Sequence, residues 1–247
     1  MQRYFADNVD NNFIIEEDDY HHIARVMRMK SGDEIFCVNN KQQTACCCIE
    51  KITENQIIAK VIQWLEEDTE LPVFVTIVSG LPKGDKLEWI IQKGTELGAY
   101  QFIPFIATRS VVKWDEKKAD KKLVRWNKIT KEAAEQSHRK RVPEVSAPLK
   151  LKQLAELGKN YDLKLIAYEE VAKVGESSIL AQNLTSLEKG QSILVVFGPE
   201  GGLTETEVAV LKENGFQTCG LGPRILRTET APLYLLSAVS YHFELLR

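Results

Sequence analysis

Long hydrophobic runs are missing from this sequence. No stretch approaches the roughly 20 apolar residues that span a bilayer, and the first residues, Met1–Asp7, lack the basic-then-apolar order of a signal peptide. The 247 residues are 44% hydrophobic and 27% charged, an ordinary composition for a soluble protein with one large domain or two smaller ones. We therefore expect a cytoplasmic protein.

Metal-binding and redox spacings are also missing. The five cysteines form no Cys-x-x-Cys pair, and the four histidines form no His-x-x-x-His pair, so we expect no metal site. Three cysteines are consecutive, Cys46 to Cys48, and would point to alternate faces of a strand. The thiols are expected to be reduced and to serve as small buried apolar groups.

Three common cofactor and nucleophile motifs do not occur. The sequence contains no G-x-G-x-x-G, no G-x-x-x-x-G-K-[ST] and no G-x-S-x-G. These absences exclude the Rossmann dinucleotide fingerprint and the P-loop, and they disfavour an α/β-hydrolase nucleophile elbow.

Charge is distributed unevenly along the chain. The formal net charge of −3 divides into −7 for residues 1–71, +7 for 72–150 and −3 for 151–247. Residues 109–141 hold 12 Lys and Arg against 5 Asp and Glu, with Trp114 and Trp126 among them. Cations beside aromatic rings suit phosphate contact and base stacking, although a solvated helix face would have the same composition. The predicted phosphate contacts are Lys118, Lys121, Lys122, Arg125 and Lys128.

Residues 1–71 and 72–247 are predicted to form separate domains. The first contains one helical pattern, Glu16–Met29, and three strand-like runs, Asp33–Asn39, Thr44–Ile52 and Gln56–Glu66, which suggest a small β-barrel. An acidic run, Glu66–Glu70, precedes Pro72 and is the predicted linker.

Beyond Pro72, apolar strands alternate with helices, which indicates an α/β fold with a parallel sheet. The predicted strands are Val73–Gly80, Gln101–Ala107, Leu163–Glu169, Ser192–Gly198 and Phe216–Gly220. The predicted helices are Lys86–Leu97, Asp120–Ser137, Thr204–Asn214 and Pro232–Leu246.

Two glycine-rich segments near the C-terminus are the main functional signal. Gly198–Glu205 and Leu221–Ala231 each follow a predicted strand and precede a predicted helix. Glycines let backbone approach a ligand closely, and helix N-termini offer free N–H groups, so the two segments are expected to share one pocket. Thr204 with Glu207 predicts a capping box, and Thr230 a cap for the last helix. The alternatives are a tight strand-to-helix turn and a solvated loop.

Taken together, these motifs resemble the RsmE family of small-subunit (16S) rRNA uridine-N3 methyltransferases, of the SPOUT class. The resemblance covers nearly the whole chain. Its motifs are Arg3-Tyr4-Phe5, His21–Arg28, Lys93–Gly98, Glu135-Gln136-Ser137, Gly198–Gly202 and Leu221–Ala231.

The resemblance implies an N-terminal PUA-like β-barrel, a C-terminal α/β domain tied in a trefoil knot, S-adenosylmethionine (SAM) as methyl donor, 16S rRNA as substrate and a homodimer. The donor site would comprise Phe197, Gly198, Pro199, Gly201, Gly202, Leu221, Gly222, Arg224, Ile225, Leu226, Thr230 and Ala231. RNA contacts would include Arg3, Arg25, Arg28, Lys30 and Arg139. Two features depart from the family pattern: Pro232-Leu233-Tyr234 replaces small residues, and residues 1–71 are acidic overall.

Methylation of uracil N3 requires removal of its proton and stabilisation of the resulting negative charge. Glu200 and Glu229 are candidates for the base, and Arg139, Arg224 and Arg227 are candidates for stabilising the charge. The alternatives are that Glu229 only caps a helix and that Arg227 pairs with it. Two other functions fit the same residues: a non-catalytic RNA-binding ribosome-assembly factor, and a nucleotide-binding enzyme that uses Gly198–Gly202 as an anion-binding turn.

Overall fold

The computed structural model describes residues 1–112, 114, 119–168 and 178–246. The predicted phosphate contact Lys118 and Glu169, the predicted end of a strand, lie outside the described residues. The chain forms two compact units: Met1–Glu70 with Ala134–Arg141, and Leu71–Ala133 with Val142–Arg247. The boundary after residue 71 stays a prediction.

The first unit is built on a six-stranded sheet with one parallel pair. The order is β1-β4-β5-β6-β3-β2, and only β1 and β4 run parallel. The strands are β1 (Arg3–Phe5), β2 (Asp7–Val9), β3 (Asn12–Glu16), β4 (Glu34–Val38), β5 (Thr44–Ile52) and β6 (Gln56–Leu65). The predicted helix over 16–29 is shorter in the structure: α1 (Glu17–His21) continues as a π-helical turn, His22–Val26.

The core of the first unit follows the two-residue period of its strands. In β5, Ala45, Cys47 and Ile49 are fully buried, whereas Cys46 and Cys48 are half-buried. All five cysteines are free thiols. The prediction of small buried apolar groups is confirmed for Cys37, Cys47 and Cys219 and is wrong for Cys46 and Cys48, which are only half-buried.

The second unit contains a six-stranded sheet that is parallel throughout, as predicted. Its order is β12-β10-β11-β7-β8-β9. The strands are β7 (Phe74–Gly80), β8 (Gln101–Phe105), β9 (Glu144–Val145), β10 (Leu163–Ala167), β11 (Ser192–Phe197) and β12 (Gln217–Cys219).

Helices cover both faces of this parallel sheet. The helices are α2 (Lys86–Glu96), α3 (Ala119–Gln136), α4 (Leu151–Leu157), α5 (Ser178–Ser186), α6 (Glu205–Glu213) and α7 (Thr230–Ser240). Side chains of α2, α5 and α7 pack with Val75 and Ile77 in one core, and side chains of α4 and α6 pack with Val78 in another. The strands are apolar on both faces because each face is buried.

The last helix begins one residue earlier than its predicted cap implies. Glu229 occupies the N-cap position without a side-chain capping bond, and Thr230 is the first helical residue. The prediction that Thr230 caps this helix is therefore wrong. Pro232 falls in the first turn, where its missing N–H removes no helical hydrogen bond, and it is buried with Leu235, Leu236 and Val239.

No helix among the described residues is both long enough and apolar enough to cross a membrane.

Candidate active site

The two glycine-rich segments line one cavity of about 520 Å³ in the second unit. It lies beyond the carboxyl ends of β10, β11 and β12, where parallel α/β sheets usually bind ligands. Its lining residues are Lys86, Arg109, Ala167, Tyr168, Phe197, Gly198, Pro199, Glu200, Gly201, Gly202, Leu203, Leu221, Pro223, Arg224, Ile225, Leu226, Arg227, Thr228 and Ala231.

Residues 198–204, the first loop, pack tightly against neighbouring backbone. A Cβ added at Gly198 would lie 3.0 Å from the carbonyl carbon of Gly202, and one at Gly80 would lie 2.5 Å from the nitrogen and Cδ of Pro199. Gly202 has a φ of +70°, a conformation that side chains disfavour. Glycine is therefore required at Gly198 and Gly202 within the loop and at Gly80, which packs against it.

Arg109 holds the first loop from the β8 side. Its Nη1 donates hydrogen bonds to the carbonyl oxygen of Gly201 at 3.0 Å and to that of Leu203 at 3.4 Å. This role is not predictable from the sequence, because nothing near Arg109 distinguishes it from the other cations of the basic block.

The predicted capping box closes the first loop. The backbone N–H of Glu207 donates to Thr204 Oγ1 at 3.2 Å, and the N–H of Thr204 donates to Glu207 Oε2 at 2.8 Å. Glu207 Oε1 accepts two further hydrogen bonds, from the N–H and hydroxyl of Thr108. The confirmed cap therefore also connects the first loop to the residues that follow β8.

Glu200 is already paired. Its Oε1 accepts hydrogen bonds from Lys86 Nζ at 2.9 Å and from the backbone N–H of Lys83 at 3.1 Å. Burial acts to raise the pKa of Glu200, but these donors outweigh it and hold the pKa below its ordinary value. The same hydrogen bond to Glu200 raises the pKa of Lys86. Glu200 is thus an ionised structural partner, which disfavours it as a proton acceptor.

Lys86 also reaches the second glycine-rich segment. Its Nζ lies 3.4 Å from Glu229 Oε2, an oxygen that is buried and makes no hydrogen bond. Glu229 therefore pairs with Lys86 and not with Arg227, and its side chain does not cap α7. The two alternatives from the sequence, that Glu229 only caps a helix and that it pairs with Arg227, are therefore both wrong.

Residues 221–229, the second loop, present two unpaired arginines. Arg224 and Arg227 are exposed and line the cavity, and neither guanidinium makes a hydrogen bond or ion pair within the described part of the chain. Gly222 turns the loop with a φ of +90°. Two cations at an open cavity suit an anionic group.

Most of the predicted donor-site residues line this cavity. The two exceptions are Gly222 and Thr230, each next to a lining residue in the chain. Of the predicted catalytic residues, Glu200 and Arg227 line the cavity. Glu229 is not a lining residue, but it contacts Lys86, which is. Four lining residues lie outside the predicted segments: Lys86, Arg109, Ala167 and Tyr168. Three others, Leu203, Pro223 and Thr228, lie within those segments but were not predicted individually.

Two of the predicted RNA contacts in the first unit are buried. Arg3 and Arg139 are each 2% exposed. Arg3 pairs with Glu67 and donates to the carbonyl oxygen of His138, and Arg139 pairs with Glu70. Their guanidinium groups stabilise the fold of this unit.

The other predicted RNA contacts are at the surface. Arg25, Arg28 and Lys30 lie exposed at and just after the π-helical turn. On α3, Lys121, Arg125 and Lys128 are exposed and Lys122 is half-buried. All seven side chains are accessible to a phosphate backbone.

The aromatic residues of the basic block are only partly available for stacking. Lys122 Nζ lies 5.3 Å from the ring centre of Trp114, whose ring is 5.7 Å from that of Trp126. Trp126 is 5% exposed, so it belongs to the core and cannot stack on a base. Arg125 pairs with Glu88 at 2.7 Å.

The cavity fits SAM on three counts. Its volume falls within the roughly 300–1,000 Å³ typical of small-molecule sites. The glycines expose backbone to a flat ring, while Leu203, Leu221 and Leu226 supply apolar walls. The unpaired arginines suit a carboxylate. Among the described residues, no cluster of three or more His, Cys, Asp or Glu side chains could hold a metal ion.

Comparisons with known proteins match both units. A family model described as an RNA methyltransferase domain matches residues 69–240, and one described as an RNA methyltransferase PUA domain matches residues 15–62. The chain is 54% identical over 253 residues to ribosomal RNA small subunit methyltransferase E of Bacillus subtilis (strain 168), covering 100% of this chain and 99% of that protein.

Two solved structures with bound SAM have a similar fold. Ribosomal RNA small subunit methyltransferase E from Neisseria gonorrhoeae, bound to S-adenosyl methionine, has a TM-score of 0.82 and 27% identity, over 97% of each chain. The putative methyltransferase Lpg2936 from Legionella pneumophila, in complex with SAM, has a TM-score of 0.80 and 27% identity, over 96% of each chain.

Proposed function

This chain belongs to the ribosomal RNA small subunit methyltransferase E family, and from that premise we propose that it transfers a methyl group from SAM to N3 of one uridine in 16S rRNA. It is a SAM-dependent rRNA methyltransferase. The observation that carries the proposal is that both glycine-rich segments of the family pattern line a single cavity of suitable size.

The donor is proposed to lie between the two loops. Backbone from Phe197 to Gly202 and from Leu221 to Leu226 would hold the adenine, with Thr230 and Ala231 at the start of α7 completing the site. Arg224 would pair with the donor carboxylate. When bound, SAM supplies a methyl group on a positively charged sulfur, which the site must hold in line with the attacking nitrogen.

Glu229 is proposed as the group that accepts the N3 proton, and Arg227 as the group that stabilises the charge left on the uracil ring. Glu200 is a weaker candidate for the base, because two donors already occupy its Oε1. Methyl transfer forms the N3–carbon bond as the carbon–sulfur bond breaks, and the N3 proton passes to the carboxylate. The target base must first leave its stack to reach the cavity.

RNA binding is proposed for two exposed basic surfaces. One is formed by Arg25, Arg28 and Lys30 in the domain of residues 1–71, and the other by Lys121, Lys122 and Arg125 on α3. Arg3 and Arg139 are left out because their guanidinium groups are buried and paired. The protein is further proposed to be a cytoplasmic homodimer, with a trefoil knot in the domain of residues 72–247.

Methylation of purified subunits tests the function. Small subunits from cells that lack this gene should accept one labelled methyl group, which mass mapping should place on N3 of a single uridine. Subunits from cells with the gene should accept none, because the site is already modified. A methyl group on another base, or none, would contradict the proposal.

Calorimetry separates the alternative functions. SAM should bind and ATP should not; binding of ATP alone would indicate a nucleotide-binding enzyme. SAM binding without methyl transfer to any subunit would favour the assembly factor.

The α3 surface has its own test. Changing Lys121, Lys122 and Arg125 together to Ala should weaken rRNA binding and reduce its salt dependence, because fewer counterions are released. A matched change of Lys152, Lys159 and Lys189, three exposed lysines elsewhere in the second unit, should alter neither. An unchanged salt slope in the α3 variant would indicate an ordinary solvated helix face.

A further inference from the structure

We propose that Lys86 is a positioning residue that ties the two loops of the donor cavity together, and that this tie sets the affinity for the methyl donor. The inference rests on the proposed function, since it takes the cavity to be the donor site. None of the family motifs in the sequence contains Lys86.

Lys86 stands at the first position of α2, beside both loops. Its Nζ is 2.9 Å from Glu200 Oε1 in the first loop and 3.4 Å from Glu229 Oε2 at the end of the second. The two carboxylates lie 29 positions apart in the sequence, and one ammonium group joins them. The lysine side chain is only 35% exposed, so the ion pairs are partly shielded from solvent.

The tie matters more to the second loop than to the first. The first loop is also held by Arg109 and by the capping box at Thr204. Within the described part of the chain, the contact with Lys86 is the only hydrogen bond or ion pair made by a side chain of residues 221–229. Loss of Lys86 should therefore release Glu229 and the segment before it.

A ligand that binds between two walls gains affinity when the walls are already in place. Without Lys86, donor binding must also order the second loop, and the cost of that ordering lowers affinity. The loss should appear in donor binding, which is measured without turnover. Because Lys86 also pairs with Glu229, the proposed proton acceptor, the chemical step is expected to change as well.

Calorimetry with S-adenosylhomocysteine, the product of the donor, tests this directly. Lys86→Met should raise its Kd about tenfold, and Lys86→Arg, which keeps the charge, should restore the Kd to within about threefold of wild type. Lys83→Met, a change in an exposed lysine of the same segment, should stay within about twofold. In methylation assays, Lys86→Met should raise KM for SAM about tenfold, and Lys86→Arg should restore it to within about threefold of wild type.

A double-mutant cycle tests whether the loss of the ion pair between Lys86 and Glu229 causes the loss of affinity. Glu229→Gln alone should raise the Kd for S-adenosylhomocysteine about fivefold, and adding it to Lys86→Met should raise that Kd little further. Additive effects, or a Kd for Lys86→Met within twofold of wild type, would overturn the inference while leaving the proposed function intact.

Hydrogen exchange on the ligand-free protein gives a readout that does not depend on the donor. Backbone amides of residues 221–229 should exchange several-fold faster in Lys86→Met than in Lys83→Met, and amides of residues 198–204 should change little. If the amides of the second loop exchanged at equal rates in Lys86→Met and Lys83→Met, the inference would be overturned. If wild type bound no S-adenosylhomocysteine, the proposed function would fail, and exchange would still decide whether the tie exists.

Discussion

The two loops of the cavity are held in place to very different degrees. The first loop has Pro199 packed closely against Gly80, two carbonyl groups held by Arg109, and a complete capping box. Among the described residues, the second loop has one side-chain ion pair, from Glu229 to Lys86, besides the packing of Leu221 and the hydrogen bonds that the carbonyl oxygen of Arg227 accepts from Thr230 and Ala231.

This difference indicates a division of labour within the site. The first loop forms a fixed wall because the fold determines its shape. The second loop keeps Arg224 and Arg227 unpaired, so their charges remain available to a ligand. A cation that no carboxylate of the protein neutralises keeps its full charge for a ligand or for a developing negative charge.

Arg227→Ala should have the largest effect, and only on catalysis. Because the guanidinium supports no fold contact among the described residues, the free energy of unfolding should change by less than about 0.5 kcal/mol. The methyl-transfer rate should fall by about 10²–10³-fold, as when an oxyanion-stabilising donor is removed. Single-turnover methylation and urea denaturation measure the two quantities.

Arg224→Ala provides the comparison within the same loop. It should raise the Kd for SAM and leave the single-turnover rate at saturating SAM nearly unchanged, since its proposed partner is the donor carboxylate.

If Arg227→Ala lowered the free energy of unfolding instead of the methyl-transfer rate, the second loop would be part of the fold and the contrast between the loops would be lost.

The pairing of the two loops was predictable from the sequence. Each glycine-rich segment follows a buried strand, and the carboxyl ends of parallel strands lie at one edge of a sheet. The mixed α/β fold, the RNA methyltransferase family and the capping box at Thr204 are confirmed.

Roles that depend on distant partners were not predictable. Lys86 and Glu200 are 114 residues apart in the chain, and Arg109 and Gly201 are 92 apart. Arg3 and Arg139 looked like surface cations, but their partners, Glu67 and Glu70, come from the acidic run that was predicted to be only a linker. No local pattern shows which charges become buried pairs.

Gly80→Ala should affect both stability and binding, because it acts on the first loop. The added methyl group would lie 2.5 Å from the backbone nitrogen of Pro199, so the loop must move. Overpacking of this kind costs about 1–3 kcal/mol, and the Kd for S-adenosylhomocysteine should rise at least tenfold. Gly190→Ala, at a positive φ with open space around it, should cost about 1–2 kcal/mol without changing affinity. Equal affinity in both variants would show that the first loop is not a fixed wall.

Glu207→Gln should affect stability alone, and that effect should depend on pH. The buried carboxylate accepts hydrogen bonds from Thr204 and Thr108. Burial acts to raise its pKa, but these donors hold the pKa below the ordinary value of 4.5. Because the folded-state pKa is the lower one, the stabilisation is fully present above the unfolded-state pKa and is lost as pH falls through the folded-state pKa.

At pH 7 the variant should therefore be less stable than wild type by about 1–3 kcal/mol, since the new amide group faces donors and leaves a buried N–H unmatched. Denaturant unfolding between pH 7 and pH 3 should show the gap narrowing below about pH 4.5 as the wild-type carboxylate takes up a proton. Glu205→Gln, at an exposed position of the same helix, should differ from wild type by less than about 0.5 kcal/mol at every pH. A gap that stayed constant down to pH 3 would mean that the first loop is held by packing and not by the charge of Glu207.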